Sequence, residues 1–265
     1  FQNYIPPKPI TPGTKILTMG SCFAQNIASK LQSIGVEVDS YGLTENINNP
    51  KTLNHLIRVS LQSNPQKPRN HKNDYTEDAY LEQIVGKKKL NKLSESLRNC
   101  DIVIITLGVA CWLECSSSKK TFFVKPHKCN TNLEYPEGNY KLKRMTVADV
   151  KVELKTLMER ISNINPNALV IFTVSPVPAS GFDNIEANSM ISADLMSKST
   201  LYCGCEEYIT ENPQQAIFYW PSFEIVRGLS PWLEFRSFGT EDGSARHPSD
   251  VLVDAALELF IKTEE

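Results

Sequence analysis

Two almost uninterrupted apolar segments constrain the fold more than any other feature of the chain. Residues 100–107 and 168–174 are rich in β-branched side chains, and they end at Gly108 and at Ser175-Pro176. A strand that is apolar on both faces belongs in the middle of a sheet covered on both sides, which is typical of parallel sheets. These two segments therefore predict the central strands of an α/β protein.

Further strands and helices alternate with these two segments along the chain. Strands are predicted at residues 15–19, 36–40 and 217–220, where short apolar runs are bounded by turn residues. Helices are predicted at residues 23–34, 50–62, the second half of 78–99, 146–163, 185–211 and 250–262. Strands that alternate with helices predict right-handed crossovers and a parallel sheet. We expect a single domain over residues 1–265, with five strands in the flavodoxin-like order 2-1-3-4-5.

Local signals predict several helix ends. Gly35 follows the apolar periodicity of residues 23–34, in the position where glycine commonly ends a helix. Thr146 and Asp149 have the spacing of a capping box. Pro248 stands at the first position of the last predicted helix, where proline is favoured.

The remaining segments predict loops, with one exception. Residues 1–14 carry several prolines and predict an extended arm, and residues 63–74 predict a polar loop. Tyr41-Gly42 predicts a turn, and a long loop is predicted between Pro221 and His247. The exception is a small β excursion expected around residues 121–124.

Composition narrows the class of protein. The chain of 265 residues is 41% hydrophobic and 22% charged, with a formal net charge of -2. This balance gives no indication of a nucleic-acid partner, and no apolar run approaches the length of about 20 residues that spans a bilayer. The seven cysteines are an odd number, which favours reduced thiols and a cytoplasmic setting. Neither Cys111 and Cys115 nor Cys203 and Cys205 have the spacing of a zinc pair, so we expect no metal and no cofactor.

Polar and glycine residues follow the predicted strands. Because parallel strands end at one edge, Gly20-Ser21, Gly42, Gly108 and His247 are expected to meet there. A serine becomes a nucleophile when a base within hydrogen-bond reach takes its proton. Ser21 and His247 can have these roles, and the backbone N–H groups of Ser21, Gly42 and Gly108 are candidate oxyanion donors. The alternative is that Ser21 only caps the helix that follows it.

The segment Gly20-Ser21-Cys22-Phe23-Ala24 resembles the motif that names the GSCFA domain family, within the SGNH (GDSL-like) hydrolase superfamily. Later blocks resemble that family in the same order: Tyr41-Gly42, Asn49-Pro50, Thr106-Leu107-Gly108, Thr173-Val174-Ser175-Pro176-Val177, Ser197-Lys198, Pro221-Ser222-Phe223-Glu224 and His247-Pro248-Ser249. The resemblance covers about residues 15–260. It implies a three-layer α/β/α fold and esterase or acyl-transfer chemistry. By motif position it also implies Ser21 as nucleophile, Gly42 as oxyanion donor and His247 as base.

The chain departs from the superfamily pattern in two places. The pattern has Gly-x-Asn after the third strand, whereas Ala110 stands in the asparagine position here. The pattern also has an aspartate three residues before the histidine, and Ser244 stands there. Asp242 is the first candidate for the missing carboxylate. Glu241, Asp250 or a Ser-His dyad without an acid are the alternatives.

The leading hypothesis is a serine-dependent esterase or O-acyltransferase that acts on an acylated carbohydrate or small molecule. A non-catalytic ligand-binding module with the same fold is the alternative that the two departures favour. Cys22 is a rival nucleophile, because a helix N-terminus lowers a thiol pKa, although packing is the expected role.

Four further side chains have open roles in the sequence. Lys198 and Arg246 either steer an anionic substrate or hold structural charges. Trp112 and Trp220 either line a cleft or pack in the core.

Overall fold

The computed structural model describes residues 6–20, 22–43, 48–62, 85–115, 121–122, 140–179, 190–241 and 243–260. The expected polar loop at residues 63–74 lies outside them, as do the first five residues of the predicted N-terminal arm. Within that arm, residues 6–14 form no helix or strand, as expected from their prolines.

A five-stranded parallel sheet lies at the centre of the molecule. Its strands are β1 (Lys15–Gly20), β2 (Glu37–Gly42), β3 (Ile102–Leu107), β7 (Leu169–Val174) and β8 (Ile217–Tyr219). Their order is β2-β1-β3-β7-β8, which confirms the predicted flavodoxin-like order. Every residue of β3 and β7 is buried, as the two apolar segments predicted.

Helices cover both faces of this sheet. The helices are α1 (Cys22–Ser33), α2 (Pro50–Gln62), α3 (Lys87–Asn99), α4 (Val147–Ile164), α5 (Met190–Glu211), α6 (Ser222–Leu229) and α7 (Asp250–Phe260). One apolar cluster joins α1, α6 and α7 to what we call the front face of the sheet. Another joins α2, α3, α4 and α5 to the back face. The three-layer α/β/α fold is confirmed.

A small antiparallel sheet lies beyond the end of β3. It consists of β4 (Cys111–Cys115), β5 (Thr121–Phe122) and β6 (Tyr140–Arg144), in the order β5-β4-β6. The expected β excursion corresponds to β5, but β4 and β6 were not predicted. β6 pairs with β4 in antiparallel register. It was not predicted because charged residues are uncommon in strands.

Local helix signals were mostly right. The capping box of Thr146 and Asp149 is present in both directions, and Gly35 has a positive φ of 86° after α1. Pro248 was wrong as the first helical residue, because it pairs with Phe238 in a β-bridge. Ser249 precedes α7 instead, and its Oγ accepts from the Leu252 N–H at 3.3 Å.

Two other boundaries differ from the prediction. Tyr41 and Gly42 belong to β2 and do not form a turn, because Gly42 is in register with Gly20 and Tyr41 is buried. Helix α6 was expected to be part of a long loop. Its signal was Pro221 followed by an acidic residue in the first turn, Glu224, with Ile225 and Val226 buried.

Candidate active site

Gly20 ends β1 with a backbone that only glycine adopts readily. Its φ is 150°, and a Cβ at this position would lie 2.7 Å from the Thr106 Cβ and 2.8 Å from the Thr106 carbonyl oxygen. The end of β1 therefore lies directly against the end of β3. Ser21, the expected nucleophile, follows Gly20 and lies outside the described residues.

Cys22, the rival nucleophile, begins α1. Its side chain is half-buried and packs against the front-face apolar cluster. This contact agrees with the packing role expected for it. The first turn of α1 is also the positive end of a helix dipole, which favours a developing negative charge nearby.

Gly42 ends the neighbouring strand β2. The N–H of the next residue, Leu43, donates to the Gly20 carbonyl oxygen at 2.6 Å. Because alternate amides of a parallel strand face the same neighbour, the Gly42 N–H faces away from β1. A Cβ on Gly42 would lie 2.1 Å from Gln25 Nε2, so the Gln25 side chain covers this glycine.

Gly108 does not offer the free N–H that the sequence suggested. Its N–H donates to the Asn48 carbonyl oxygen at 3.0 Å, and the Val109 N–H donates to the same oxygen at 3.1 Å. The Gly108 carbonyl oxygen accepts from Lys198 Nζ at 2.7 Å. The expectation that Gly108 is a backbone oxyanion donor is therefore corrected, because its amide already has a partner.

Asn48 is the residue near this turn that the sequence analysis missed. Its side chain is completely buried, and neither Oδ1 nor Nδ2 has a hydrogen-bond partner among the described residues. Its signal was weak, because in Asn48-Asn49-Pro50 only the second asparagine marked the helix start. Ala110, in the position where the superfamily pattern has asparagine, donates its N–H to Ser197 Oγ at 2.7 Å.

His247 lies on a loop that is bonded to itself. Its N–H donates to the Ser244 carbonyl oxygen at 3.0 Å, and its own carbonyl oxygen accepts from the Gly239 N–H at 2.9 Å. The bridge between Phe238 and Pro248 closes the base of the loop. The His247 side chain is half-buried.

Two contacts place the His247 loop at the carboxyl edge of the sheet. Arg246 Nη1 donates to the Pro178 carbonyl oxygen at 3.0 Å, in the segment that follows β7. Further along, Lys30 of α1 and Asp254 of α7 form an ion pair at 2.7 Å. Helix α7 therefore packs beside α1 on the front face of the sheet. The meeting of Ser21 and His247 stays a prediction.

The carboxylate candidates differ in what they contact. Glu241 Oε1 accepts from the Asp250 N–H at 3.2 Å, so this carboxylate caps the start of α7. The Asp250 side chain is in the exposed first turn of that helix. Asp242, the first candidate, lies outside the described residues.

Threonine hydroxyl groups lie beneath this edge on the front face. Thr18 of β1 and Thr106 of β3 are fully buried, and neither Oγ1 has a hydrogen-bond partner within the described part of the chain. Thr173, which is in register with Thr106, is bonded to Ser222 Oγ at 2.6 Å. The carboxyl edge thus combines buried hydroxyl groups with the orphaned Asn48 amide.

The sequence was also compared with models of known protein families. The model of the GSCFA family matches residues 15–260. The chain belongs to the GSCFA family. No curated protein matches it.

Three solved structures are similar to this GSCFA protein at low identity. A protein described as a GDSL-like lipase from Parabacteroides merdae is 10% identical, with a TM-score of 0.44 over 95% of this chain and 98% of that one. A carbohydrate esterase family 2 enzyme from Corynascus thermopiles is 10% identical, with a TM-score of 0.43 over 97% and 67% of the two chains. An acetyl xylan esterase from Butyrivibrio proteoclasticus is 13% identical, with a TM-score of 0.39 over 93% and 62%. These names describe those proteins.

The cations and tryptophans of the GSCFA protein mostly have structural contacts. Lys198 is 2% exposed and donates to the Gly108 carbonyl oxygen, so its ammonium does not face bulk solvent. Trp220 is fully buried and stacks on Phe23, with ring centroids 5.9 Å apart. Trp112 is half-buried, and Lys51 Nζ lies 4.7 Å from its ring centroid.

Two side chains with raised pKa values lie elsewhere at this edge, next to β8. Burial raises the pKa of the Glu224 carboxyl group, which accepts from the Tyr219 hydroxyl at 2.7 Å. Burial, reinforced by the charge of Glu224, also raises the pKa of Tyr219. Tyr219 belongs to the back-face apolar cluster, and Glu224 is in the first turn of α6.

Neither a metal cluster nor a membrane span is found in the described ranges of the GSCFA protein. No three His, Cys, Asp or Glu side chains of those ranges gather as metal ligands. No helix among the same residues has the length and apolar content to cross a bilayer.

Proposed function

We propose that this GSCFA protein is a serine-dependent esterase or O-acyltransferase, with an acylated carbohydrate or small molecule as substrate. One observation carries the proposal. The family motif that contains Ser21 follows β1 at the carboxyl edge, and the His247 loop is held at that same edge by Arg246 and by the α1–α7 contact. Nucleophile, base and donors are the roles such a site requires.

The proposed reaction passes through an acyl-enzyme at Ser21. Ser21 Oγ attacks the acyl carbon while His247 takes the hydroxyl proton. The carbonyl electron pair moves to oxygen, and it returns when the C–O bond to the alcohol breaks. His247 then donates its proton to the leaving alcohol. Water, or a sugar hydroxyl, attacks the acyl-enzyme by the same steps in reverse order.

Backbone donors and an acid complete the proposed site. The Ser21 N–H is the first proposed oxyanion donor, and the dipole of α1 supports it. The Gly42 N–H is the second and weaker choice, because it faces away from β1 and Gln25 covers this glycine. Asp242 is the proposed acid that orients the imidazole. Glu241 is a weaker choice, because its carboxylate caps α7. We keep as a prediction that residues 1–265 form one domain.

A non-catalytic binding module is the second candidate function. Two observations favour it: Ala110 replaces the asparagine of the pattern, and Ser244 replaces its aspartate. A module of this kind would bind an ester without turning it over.

Labelling with a fluorophosphonate, followed by peptide mass spectrometry, separates these candidates. We expect the label on Ser21 in the wild type, and its loss in Ser21→Ala and in His247→Ala. Cys22→Ala is the matched control and should label like the wild type. An unlabelled wild type between about pH 6 and 9, where a histidine changes from acid to base, would contradict the enzyme and favour the binding module.

Product analysis separates hydrolysis from transfer. With p-nitrophenyl acetate as donor, free acetate alone indicates an esterase, and an acetylated sugar acceptor indicates an O-acyltransferase. If Cys22→Ala is the inactive variant and Ser21→Ala is active, the nucleophile is the thiol and the serine proposal is wrong.

A further inference from the structure

The Asn48 side chain is buried without the hydrogen bonds that a buried amide normally has. It is 0% exposed, and both Oδ1 and Nδ2 lack a partner in the part of the chain that the structure describes. Buried side-chain amides are almost always bonded in folded proteins, because an unpartnered one loses its hydration without replacement. The Asn48 amide therefore keeps donor and acceptor capacity that the described residues do not use.

Asn48 is held at one particular place on the carboxyl edge. Its main-chain oxygen accepts from the N–H groups of both Gly108 and Val109, so it is fixed to the end of β3. Its Nδ2 lies 2.7 Å from the point that a Gly108 Cβ would occupy. Gly108 therefore leaves room for this amide, beside the strand whose Thr106 touches Gly20.

The next residue shows what a structural asparagine looks like here. Asn49 is also fully buried, but its Oδ1 accepts from the Thr52 N–H at 2.9 Å and so caps α2. The Asn48 carboxamide caps no helix among the described residues. Asn49 Nδ2 also has no partner among the described residues, so the two amides differ at Oδ1, which is bonded only in Asn49.

We infer that the Asn48 carboxamide is an oxyanion donor of this site. Its Nδ2 donates to the acyl oxygen as that oxygen becomes negative during attack by Ser21, and no proton is transferred. The inference rests on the proposed function. The superfamily pattern has an asparagine where this chain has Ala110. Asn48, from the segment before α2, supplies a side-chain donor in its place. A donor in an enclosed site, away from bulk water, stabilises such a charge most strongly.

The test compares Asn48→Leu and Asn48→Asp with Asn49→Ala, using p-nitrophenyl acetate and the fluorophosphonate. Both Asn48 variants should lower kcat by about 100-fold to 1,000-fold and slow labelling of Ser21 in proportion. KM should change by less than about threefold, since the donor acts on the transition state. Asn48→Leu should melt at or above the wild-type temperature, because it removes an unpartnered amide. Asn49→Ala should melt lower while kcat stays within about threefold.

Three outcomes would overturn the inference. The first is an Asn48→Leu or Asn48→Asp variant whose kcat equals that of the wild type, while the wild type labels at Ser21; the proposed function then stands alone. The second is a melting temperature for both Asn48 variants below that of Asn49→Ala, which makes the amide structural. The third is a wild type that neither labels nor turns over, in which case the proposed function fails as well.

Discussion

Asp101 and Asn165, at the amino edge of the central sheet, have hydrogen-bond partners, whereas Asn48, Thr18 and Thr106 near the carboxyl edge have polar atoms without partners among the described residues. At the amino edge, Asp101 accepts from the Lys15 N–H at 2.9 Å and from Lys8 Nζ at 3.2 Å. There too, Asn165 Nδ2 donates to the carbonyl oxygens of Leu97 at 3.1 Å and Cys100 at 2.7 Å. At the carboxyl edge, Asn48, Thr18 and Thr106 have buried polar atoms without partners in the described ranges.

A cavity lies at the amino edge, away from the candidate active site. The amino edge has one of about 320 Å³, whose lining includes Asp39, Lys92 and Ser96. Yet Asp39 is bonded to Ser96 at 2.6 Å and to Lys92 at 2.9 Å. Asp39 therefore has both a hydrogen-bond partner and an opposite charge within the chain, so this cavity needs no ligand to satisfy it. Polar groups that are bonded within the chain serve stability, whereas polar groups left without partners are available for binding.

The largest expected effect is on turnover at the carboxyl edge. We expect His247→Ala to lower kcat at least about 1,000-fold, because Ser21 then lacks its base. The His247 side chain is only half-buried, so the melting temperature should change little. His55→Ala, on the back-face helix α2, is the matched control and should keep its activity. Equal activity losses in both variants would contradict the comparison.

Gly20→Ala should have the largest effect on stability. The variant places a Cβ 2.7 Å from the Thr106 Cβ and also strains a φ of 150°. We expect a loss of about 3 kcal/mol in the free energy of unfolding, measured by urea denaturation. Gly35→Ala measures the cost of backbone strain without a steric clash, because Gly35 has a φ of 86° and nothing lies within 4 Å of its Cβ position. Its loss should be about 1 kcal/mol. Similar losses would show that the contact with β3 is unimportant.

Asn165→Ala tests the amino edge by removing an amide whose Nδ2 makes two hydrogen bonds. The Leu97 and Cys100 carbonyl oxygens lose their donor, so we expect about 2 kcal/mol less stability with kcat unchanged. Thr18→Val is the counterpart at the carboxyl edge, because its hydroxyl has no partner in the described segments. That variant should be as stable as the wild type, or more stable by up to about 1 kcal/mol. If Asn165→Ala and Thr18→Val destabilise the protein equally, the proposed difference between the two edges is wrong.

The smallest expected effect concerns Asp101. The Lys15 N–H, with Lys8, holds the pKa of this carboxyl below its ordinary value. An aspartate of lowered pKa adds stability above the unfolded value of about 3.9, and this contribution is lost as the pH falls through the folded pKa. Because its side chain is 43% exposed, Asp101→Asn should lose less than about 1 kcal/mol at pH 7. Urea denaturation should show this difference shrinking below about pH 4; a difference that grows there is the contrary result.

Prediction from sequence succeeded where a local pattern decides the structure. The apolar segments of β3 and β7 can only be central strands, and their alternation with helices led to the observed strand order. The capping box at Thr146 and the glycine after α1 are equally local, because each depends on residues within one turn. The Gly20 motif and the late histidine were also visible as strand-end residues.

Hydrogen-bond partners at the candidate site were beyond the reach of sequence patterns. The sequence by itself determined the parallel sheet and which segments end at the carboxyl edge, because periodicity depends only on neighbouring residues. Only the tertiary structure decided that the Gly108 N–H is bonded to Asn48 and that the Asn48 carboxamide is buried without a partner. The physical reason is that the partner of an amide depends on which distant segment approaches it. Residues 48 and 108 meet only when α2 and β3 pack at the same edge.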